Sequence, residues 1–205
     1  MSAPKTQSRR ERNLADIRHR AIEVAERIVL DHGGGALHAR GLAQDLGISV
    51  GSLYNAFGDL DGVIRAVNAR CAERLAENLR RALETAPDAP RARVIAIGEA
   101  YFDFAQAEPR RWYMLFDRPS DLELDPQTAD VQTSLLDMLI RAGDGDPGIE
   151  QHRQFFLLLW ASVHGLVSLA SRPNIVMIQP DVARGYMRDL IKAAFRNFPD
   201  SSQTQ

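Results

Sequence analysis

The sequence predicts an all-α protein of about nine helices, and three observations lead to that prediction. Apolar residues recur three and four positions apart in almost every segment, as they do along one face of a helix. No stretch between turns alternates apolar and polar residues convincingly, as a half-buried strand would. The 205 residues, 45% of them hydrophobic, are enough for a sizeable core in one large domain or two small ones.

Glycine and proline residues separate the predicted helices. Gly33 begins a run of three glycines that can end the first helix, and Gly47 ends the second. Ser49 is suited to cap a helix, because its hydroxyl can accept a backbone N–H of the first turn. Pro109 suits a first turn, where its missing N–H would be unpaired anyway. In chain order, the expected helices cover about 12–31, 36–45, 50–57, 60–85, 91–106, 109–117, 128–141, 149–171 and 181–197.

These helices divide into two expected modules. Residues 1–58 hold the basic N-terminus and three short helices. Residues 59–205 hold the longer helices. The helix that begins near Leu60 joins the two modules.

The charge of the chain is uneven along its length. The formal net charge is −2, yet the first twenty residues carry six basic and two acidic side chains, a local net of six minus two, or +4. Such a basic arm is either a solvated tail or an attachment for phosphates. The basic residues are Lys5, Arg9, Arg10, Arg12, Arg18 and Arg20.

Cysteine content and the N-terminal pattern indicate a protein of the cytoplasm. Cys71 is the only cysteine, which excludes an intrachain disulfide, and its helical context favours a packing role. No apolar run follows the first basic residues, so a secretory signal is not expected. No metal site and no cofactor are expected either.

Residues 154–171 form the one run that needs comparison with a membrane span. They carry no charged side chain and lie between Arg153 and Arg172. A span needs about 20 predominantly apolar residues, and this run includes Gln154, Ser162, His164 and Ser168. We therefore expect a helix buried in the core or against a partner subunit, and no membrane.

The stretch GISVG, Gly47 to Gly51, fits two motifs. As G-x-S-x-G it would present Ser49 as the nucleophile of a hydrolase, but that turn needs a preceding strand. The residues before it, GLAQDLG, have helical spacing and no β-branched run. A serine hydrolase stays as an alternative, to be tested by ester turnover. The other motif is a helix-turn-helix, in which Gly47 makes the turn.

A helix-turn-helix assigns each residue of the second helix to a side. Leu53 and Phe57 would pack inwards, together with Leu42 and Leu46 of the first helix. Small and hydroxyl-bearing residues on the other side would let the helix enter a major groove and contact phosphates. Spacing alone also allows two ordinary core helices. The expected DNA-binding residues are Ser49, Val50, Gly51, Ser52, Tyr54 and Asn55, with Arg40 from the first helix.

Residues 33–64, GGGALHARGLAQDLGISVGSLYNAFGDLDGVI, resemble the DNA-binding module of TetR-type transcriptional regulators. The matching positions are Leu42-Ala43, Gly47-Ile48-Ser49, Gly51-Ser52-Leu53-Tyr54 and Phe57. Two positions depart from the family pattern: Ala56 stands where a histidine is usual, and Leu60 where a phosphate-contacting lysine is usual. The resemblance implies a dimeric repressor that binds double-stranded DNA at a palindromic operator. It also implies that Arg40 contacts a base edge. A helical adaptor that has lost DNA binding is the other alternative.

The C-terminal segments EPRRWYMLF and WASVHGLVSLA resemble a TetR subgroup whose regulatory domain is named for Trp, His and Gly, here Trp160, His164 and Gly165. The resemblance implies a pocket for a small apolar or aromatic effector, and a homodimer through the last two helices. Aromatic stripes at helical spacing are also typical of an ordinary core. The expected pocket residues are Phe102, Trp112, Tyr113, Phe116, Met138, Trp160 and His164.

Overall fold

The computed structural model describes residues 8–117, 126–171, 178–196 and 198. Over these ranges the chain folds into nine α-helices without a strand, which confirms the all-α prediction. The helices are α1 (Arg9–His32), α2 (Ala39–Leu46), α3 (Val50–Phe57), α4 (Leu60–Glu84), α5 (Pro90–Ala107), α6 (Pro109–Trp112), α7 (Pro126–Ala142), α8 (Glu150–Ser171) and α9 (Pro180–Ala194).

Three boundaries differ from the sequence prediction. Helix α1 begins three residues earlier, because Ser8 and Glu11 form a capping box in which each side chain accepts the other residue's N–H. The expected helix over 36–45 is divided into a 3₁₀ turn, Gly34–Ala36, and the shorter α2. Helix α6 continues as a π-helical turn, Tyr113–Asp117, which the sequence did not indicate. The expected loop over 117–126 lies almost wholly outside the described residues.

Helices α1 to α3 pack around a small core, and we call this part the N-terminal module. Its buried residues include the first half of α4, from Val63 to Cys71, and one residue of the π-helical turn, Met114. The core of the module therefore extends beyond residue 58. The division at residues 58 and 59 stays a prediction.

Helices α5, α7, α8 and α9 pack around the second half of α4, and we call this part the C-terminal body. Its core is larger and contains most of the bulky aromatic side chains. The largest buried side chains are Trp112, Phe102, Phe104 and Phe156. Residues 109–117, which we call the joining segment, contribute Trp112 to this core and Met114 to the other. One short piece of chain therefore belongs to both parts.

Candidate functional site

Residues Gly47 to Gly51 form the turn and the start of the second helix of a helix-turn-helix. Gly47 has φ 66°, in the left-handed region that favours glycine. Its N–H donates to the Gln44 carbonyl at 3.0 Å, and the Ile48 N–H donates to the Ala43 carbonyl at 3.0 Å. These two bonds pair carbonyls at the end of α2 that would otherwise lack partners.

Ser49 caps α3. Its Oγ accepts the Ser52 N–H at 3.0 Å and lies 2.9 Å from the Ser52 Oγ. The chain before Gly47 is helix α2, whereas a nucleophile elbow needs a strand at that place. The elbow that the hydrolase alternative requires is therefore not formed around this serine.

One side of α3 faces away from the protein. Leu53 is fully buried, which fixes the orientation of the helix about its axis. The seven residues that the sequence proposes for DNA binding are all accessible: Arg40, Ser49, Gly51, Tyr54 and Asn55 are exposed, and Val50 and Ser52 are half-buried. Their contacts with DNA stay a prediction.

Both positions that depart from the TetR pattern are turned towards the protein. Ala56 is only 3% exposed, and Leu60 packs half-buried against the core of the N-terminal module. Alanine at position 56 is thus a packing residue. Leu60 likewise makes an apolar contact at the start of α4, where a lysine would place a charge.

Two arginines of the basic arm hold the helix-turn-helix together. The Arg18 Nε donates to the Ala56 carbonyl at 2.7 Å, in the last turn of α3. The Arg20 Nη2 donates to the Leu46 carbonyl at 3.1 Å, at the end of α2. Backbone carbonyls of the module therefore engage these two side chains, a contact that the sequence did not indicate, and a phosphate contact by the basic arm stays a prediction.

Three accessible basic side chains lie at the start of α1. Arg9, Arg10 and Arg12 are exposed, and their side chains form no ion pair within the described part of the chain. In contrast, residues 33–64 contain one arginine, Arg40, and three aspartates, a net of one minus three, or −2. The segment that contains the helix-turn-helix therefore carries no positive excess of its own.

A cavity of about 360 Å³ lies inside the C-terminal body, between α4, α5, α7 and α8. Most of its wall is aliphatic or aromatic. Four polar side chains reach it, and two of these, Gln132 and Thr133, are exposed on α7. The lining residues are Leu75, Leu79, Val94, Ile97, Gly98, Tyr101, Phe116, Gln132, Thr133, Leu135, Leu136, Leu139, Arg153, Leu157, Leu159, Trp160, Val163 and Ile191.

Of the seven expected pocket residues, Phe116 and Trp160 line this cavity. Trp112 and His164 lie in the layer of rings beside it: the centroid of His164 is 5.3 Å from those of both tryptophans. Trp112 is also 4.5 Å from Phe116. These four residues therefore form one aromatic cluster, with two members at the cavity wall.

The other three expected pocket residues lie elsewhere. Phe102 is fully buried in the core, with the Arg184 guanidinium 4.6 Å from its ring centroid. Tyr113 is 44% exposed. Met138 lines a separate surface groove on the other side of α7. The sequence pattern placed them wrongly, because adjacent helical residues point about 100° apart and only the packing shows which side is hollow.

The sequence prediction missed all four polar lining residues, of which Tyr101 and Arg153 are the two that are not exposed. Tyr101 lines the cavity in place of its neighbour Phe102, and its Oη lies 2.8 Å from the His164 Nδ1. Arg153 lines it at the start of α8. A signal for Arg153 was available, because Arg153, Leu157 and Trp160 are spaced four and three apart and so share one helix face.

His164 is hydrogen-bonded through both ring nitrogens. The Tyr101 Oη is at Nδ1, and the Ser168 Oγ lies 3.2 Å from Nε2. Paired ring nitrogens are what a structural histidine in a core requires. The position of the ring beside Phe116 nevertheless brings it into the cluster that borders the cavity.

Ion pairs attach the joining segment to the N-terminal module. The Arg111 Nη2 donates to the Glu26 Oε1 of α1 at 2.8 Å, and Arg111 also pairs with Glu108. Burial alone would lower the pKa of Arg111, but the hydrogen bonds and charges of the two glutamates outweigh it and raise that pKa above its ordinary value. Arg70 and Arg74 of α4 complete the network through Glu26 and Glu108.

Met114 makes the apolar part of the same attachment. It is buried, and its Sδ would lie 2.8 Å from a Cβ added at Gly34. A side chain at position 34 would therefore require Met114 to shift. Two residues later, Phe116 lines the cavity. The joining segment thus contacts the cavity with one side chain and the N-terminal module with another.

Helices α8 and α9 leave an apolar face uncovered, which we call the outer face. Leu158 is 70% exposed, Tyr186 56% and Val182 45%. A Cβ added at Gly165 or Gly185 would meet nothing within 4 Å. Within the described residues, α8 is the one helix long and apolar enough to cross a bilayer, with a mean hydropathy of 1.5 and 22% of that stretch buried.

Comparisons of sequence relate the chain to known transcriptional regulators. A family model described as the C-terminal domain of tetracyclin repressor-like proteins matches residues 94–192. The HTH-type transcriptional regulator Rv1816 of Mycobacterium tuberculosis is 26% identical over 186 residues, which cover 75% of this chain and 80% of the relative.

Comparisons of structure find the same fold in solved proteins. A TetR-family regulator from Streptomyces coelicolor has a TM-score of 0.67 at 22% identity, with 91% of this chain and 99% of that chain covered. FadR of Bacillus subtilis, solved with stearoyl-CoA, has a TM-score of 0.64 at 13% identity, with 86% and 98% covered. Residues 94–192 thus match a tetracyclin repressor-like C-terminal domain, and with the related regulators and the helix-turn-helix of α2 and α3 the chain is similar to TetR-type DNA-binding transcriptional regulators.

Proposed function

We propose that this TetR-type regulator is a cytoplasmic homodimeric repressor, which leaves a palindromic operator when a small apolar or aromatic ligand fills the cavity. The observation that carries the proposal is that the joining segment contacts both the cavity and the N-terminal module. Phe116 lines the cavity, and Met114 packs in the core of the N-terminal module. A ligand that displaces Phe116 thereby acts on the position of the helix-turn-helix.

Helix α3 is the element proposed to enter the major groove. Its outward side carries Gly51, Tyr54 and Asn55. The glycine permits close approach, and the polar side chains position the helix on the backbone. Arg40 on α2 is proposed to read a base edge, a contact that contributes about 1 to 3 kcal/mol of discrimination when bidentate. Ser49, Val50 and Ser52 lie at the start of α3 and are proposed to adjoin the same groove.

The exposed start of α1 is proposed to supply the phosphate contacts. Arg9, Arg10 and Arg12 are exposed without an ion pair among the described residues, while residues 33–64 are net negative. Each phosphate neutralised by a side chain adds about 0.9 to the slope of log affinity against log salt. The salt dependence of operator binding therefore measures how many of these arginines take part.

The outer face is proposed to be the dimer interface. Two half-sites about 34 Å apart require two helix-turn-helix modules held at a fixed distance. Leu158, Val182 and Tyr186 offer exposed apolar surface, and Gly165 lets a partner helix approach closely. Two copies of α8 and α9 would cover these side chains, which also accounts for the uncharged stretch 154–171 in α8.

The ligand is proposed to act by shifting a conformational equilibrium. It can shift the equilibrium by no more than its difference in affinity for the two arrangements of the modules. An apolar cavity with a few polar groups is what small-molecule sites usually provide. FadR, which shares the fold, is solved with stearoyl-CoA, and the long acyl chain of that molecule supports a ligand with an apolar body for this chain.

The direct test is to select the DNA that the purified chain retains from genomic fragments, and then to measure its affinity at several salt concentrations. We expect an enriched palindrome that binds one dimer, with affinity falling steeply as salt rises. Retention of no sequence above background would favour the helical adaptor. A chromogenic ester assay on the wild type and Ser49→Ala tests the hydrolase alternative, and we expect no turnover that depends on Ser49.

A further inference from the structure

Among the residues that the structure describes, Arg153 is the single charged side chain that lines the cavity. It determines which ligand groups that part of the cavity can bind. Arg153 lies in the first turn of α8, and no aspartate or glutamate lines the cavity. Its side chain is 32% exposed, so the guanidinium lies partly within the protein. An arginine stays protonated at any working pH. The cavity therefore has one permanently positive position in an apolar wall.

Asp137 holds the guanidinium from the other side. The Arg153 Nη1 donates to the Asp137 Oδ1 at 2.7 Å. Asp137 does not line the cavity; it borders the surface groove on the opposite side of α7. A guanidinium has five N–H donors in a fixed fork, and this bond uses one of its nitrogens. The remaining donors are left for a second acceptor on the cavity side.

Exposed polar lining groups mark the open part of the cavity. Gln132 and Thr133 are exposed on α7, whereas the aliphatic residues Leu75, Val94 and Ile191 are buried. From Arg153 to Trp160, both of which line the cavity, the helix rises about 10 Å, at about 1.5 Å per residue. The wall between these two residues is therefore long enough for an extended apolar body whose polar group lies at Arg153.

Resting on the proposed ligand-binding function, we propose that the effector is an amphipathic carboxylate. It is an apolar chain or ring system that carries one carboxylate, with the carboxylate at Arg153 and the apolar body extending towards Phe116 and Trp160. A carboxylate accepts two parallel N–H bonds from an arginine, and such charge-assisted bonds are about twice as strong as neutral ones. An ammonium group is repelled at this place, and a hydroxyl forms a weaker bond.

Tryptophan fluorescence gives a selective readout of this site. The chain contains two tryptophans, and both belong to the cluster beside the cavity. We choose decanoate, decanol and decylamine as probes, because they share one apolar chain and differ in the terminal group. Titration of the full-length protein with each probe, below its micellar concentration, measures the preference for the terminal charge.

We expect decanoate to bind at least about tenfold more tightly than decanol or decylamine. A hydrogen bond to a charged group contributes enough binding free energy for a difference of that size. Arg153→Gln should remove that preference and leave decanol binding unchanged. Asp137→Asn, which removes the negative charge that competes for the guanidinium, should strengthen decanoate binding. Arg141→Gln is the matched control, because Arg141 lies on α7 at the surface groove and should leave the preference intact.

Two failures are distinguishable. If decanol binds as tightly as decanoate in the wild type, or if the preference for decanoate survives in Arg153→Gln, the result contradicts a carboxylate bound at Arg153. Either result leaves the proposed ligand-binding cavity unaffected. If none of the probes changes the tryptophan emission while the far-ultraviolet circular dichroism shows a folded protein, the cavity binds no such molecule. That result overturns both this inference and the proposed ligand response.

Discussion

The N-terminal module and the C-terminal body differ in where they offer a binding surface. In the module, Leu53 and Val63 are fully buried in the core, and Arg18 and Arg20 of α1 donate to carbonyls at the ends of α3 and α2. Its accessible residues are on the outside. The body instead encloses a cavity of about 360 Å³ beside an aromatic cluster. A module that binds an extended polymer needs a rigid outer surface, whereas one that binds a small molecule needs an unfilled interior.

The largest expected effect comes from the outer face of the body. Leu158→Asp should place a charge in the proposed interface and convert the dimer to a monomer, which lowers operator affinity by at least about a hundredfold because two half-sites are no longer bound together. Sedimentation equilibrium and fluorescence anisotropy measure the two effects. The adjacent Leu157→Asp is the control: Leu157 lines the cavity and should leave the dimer intact. A monomeric wild type at micromolar concentration would contradict the proposed interface.

A smaller effect is expected from Arg40. Replacing it with alanine should reduce discrimination between the operator and a base-substituted operator by about ten- to a hundredfold, equivalent to about 1 to 3 kcal/mol. Anisotropy on both DNAs gives the ratio. A uniform loss of affinity with unchanged base preference would make Arg40 a phosphate contact.

Two arginines of α1 are expected to have different roles, Arg18 a structural one and Arg12 an electrostatic one. Arg18→Met removes the bond to the Ala56 carbonyl and should lower the free energy of unfolding by about 1 to 2 kcal/mol. Arg12→Met should leave that free energy unchanged and reduce the slope of log affinity against log salt by about 0.9. Denaturant titrations and salt series measure both quantities. Equal losses of stability in the two variants would show that Arg18 does not brace α3.

The smallest effect concerns the buried thiol of Cys71. Burial raises its pKa from 9.0 to about 12. The folded state therefore keeps a proton that the unfolded state loses above pH 9, so this group's contribution to stability is present below pH 9 and disappears between about pH 9 and 12. Ellman's reagent at pH 8 should react with Cys71 only as fast as the protein unfolds. Rapid stoichiometric reaction of the native protein would contradict this burial.

The sequence predicted the helix-turn-helix of the N-terminal module well and the cavity of the C-terminal body poorly. The turn at Gly47, the cap at Ser49 and the bounds of α3 follow from local chemistry, and all three were anticipated. The cavity was not, because helical spacing identifies apolar residues and cannot show which of them face an empty space. Phe102 was chosen and its neighbour Tyr101 lines the wall. The roles of Arg18 and Arg20 also depend on tertiary contacts, since their partners lie 38 and 26 residues away.

The central claim is that cavity occupancy controls operator binding through the joining segment. We would record tryptophan emission and operator anisotropy in one titration with decanoate, for the wild type and for Met114→Ala. The account predicts that in the wild type operator affinity falls as the tryptophan signal saturates. It predicts that Met114→Ala binds decanoate equally well with a weaker loss of operator affinity. A saturated cavity with unchanged operator affinity in the wild type would contradict the claim.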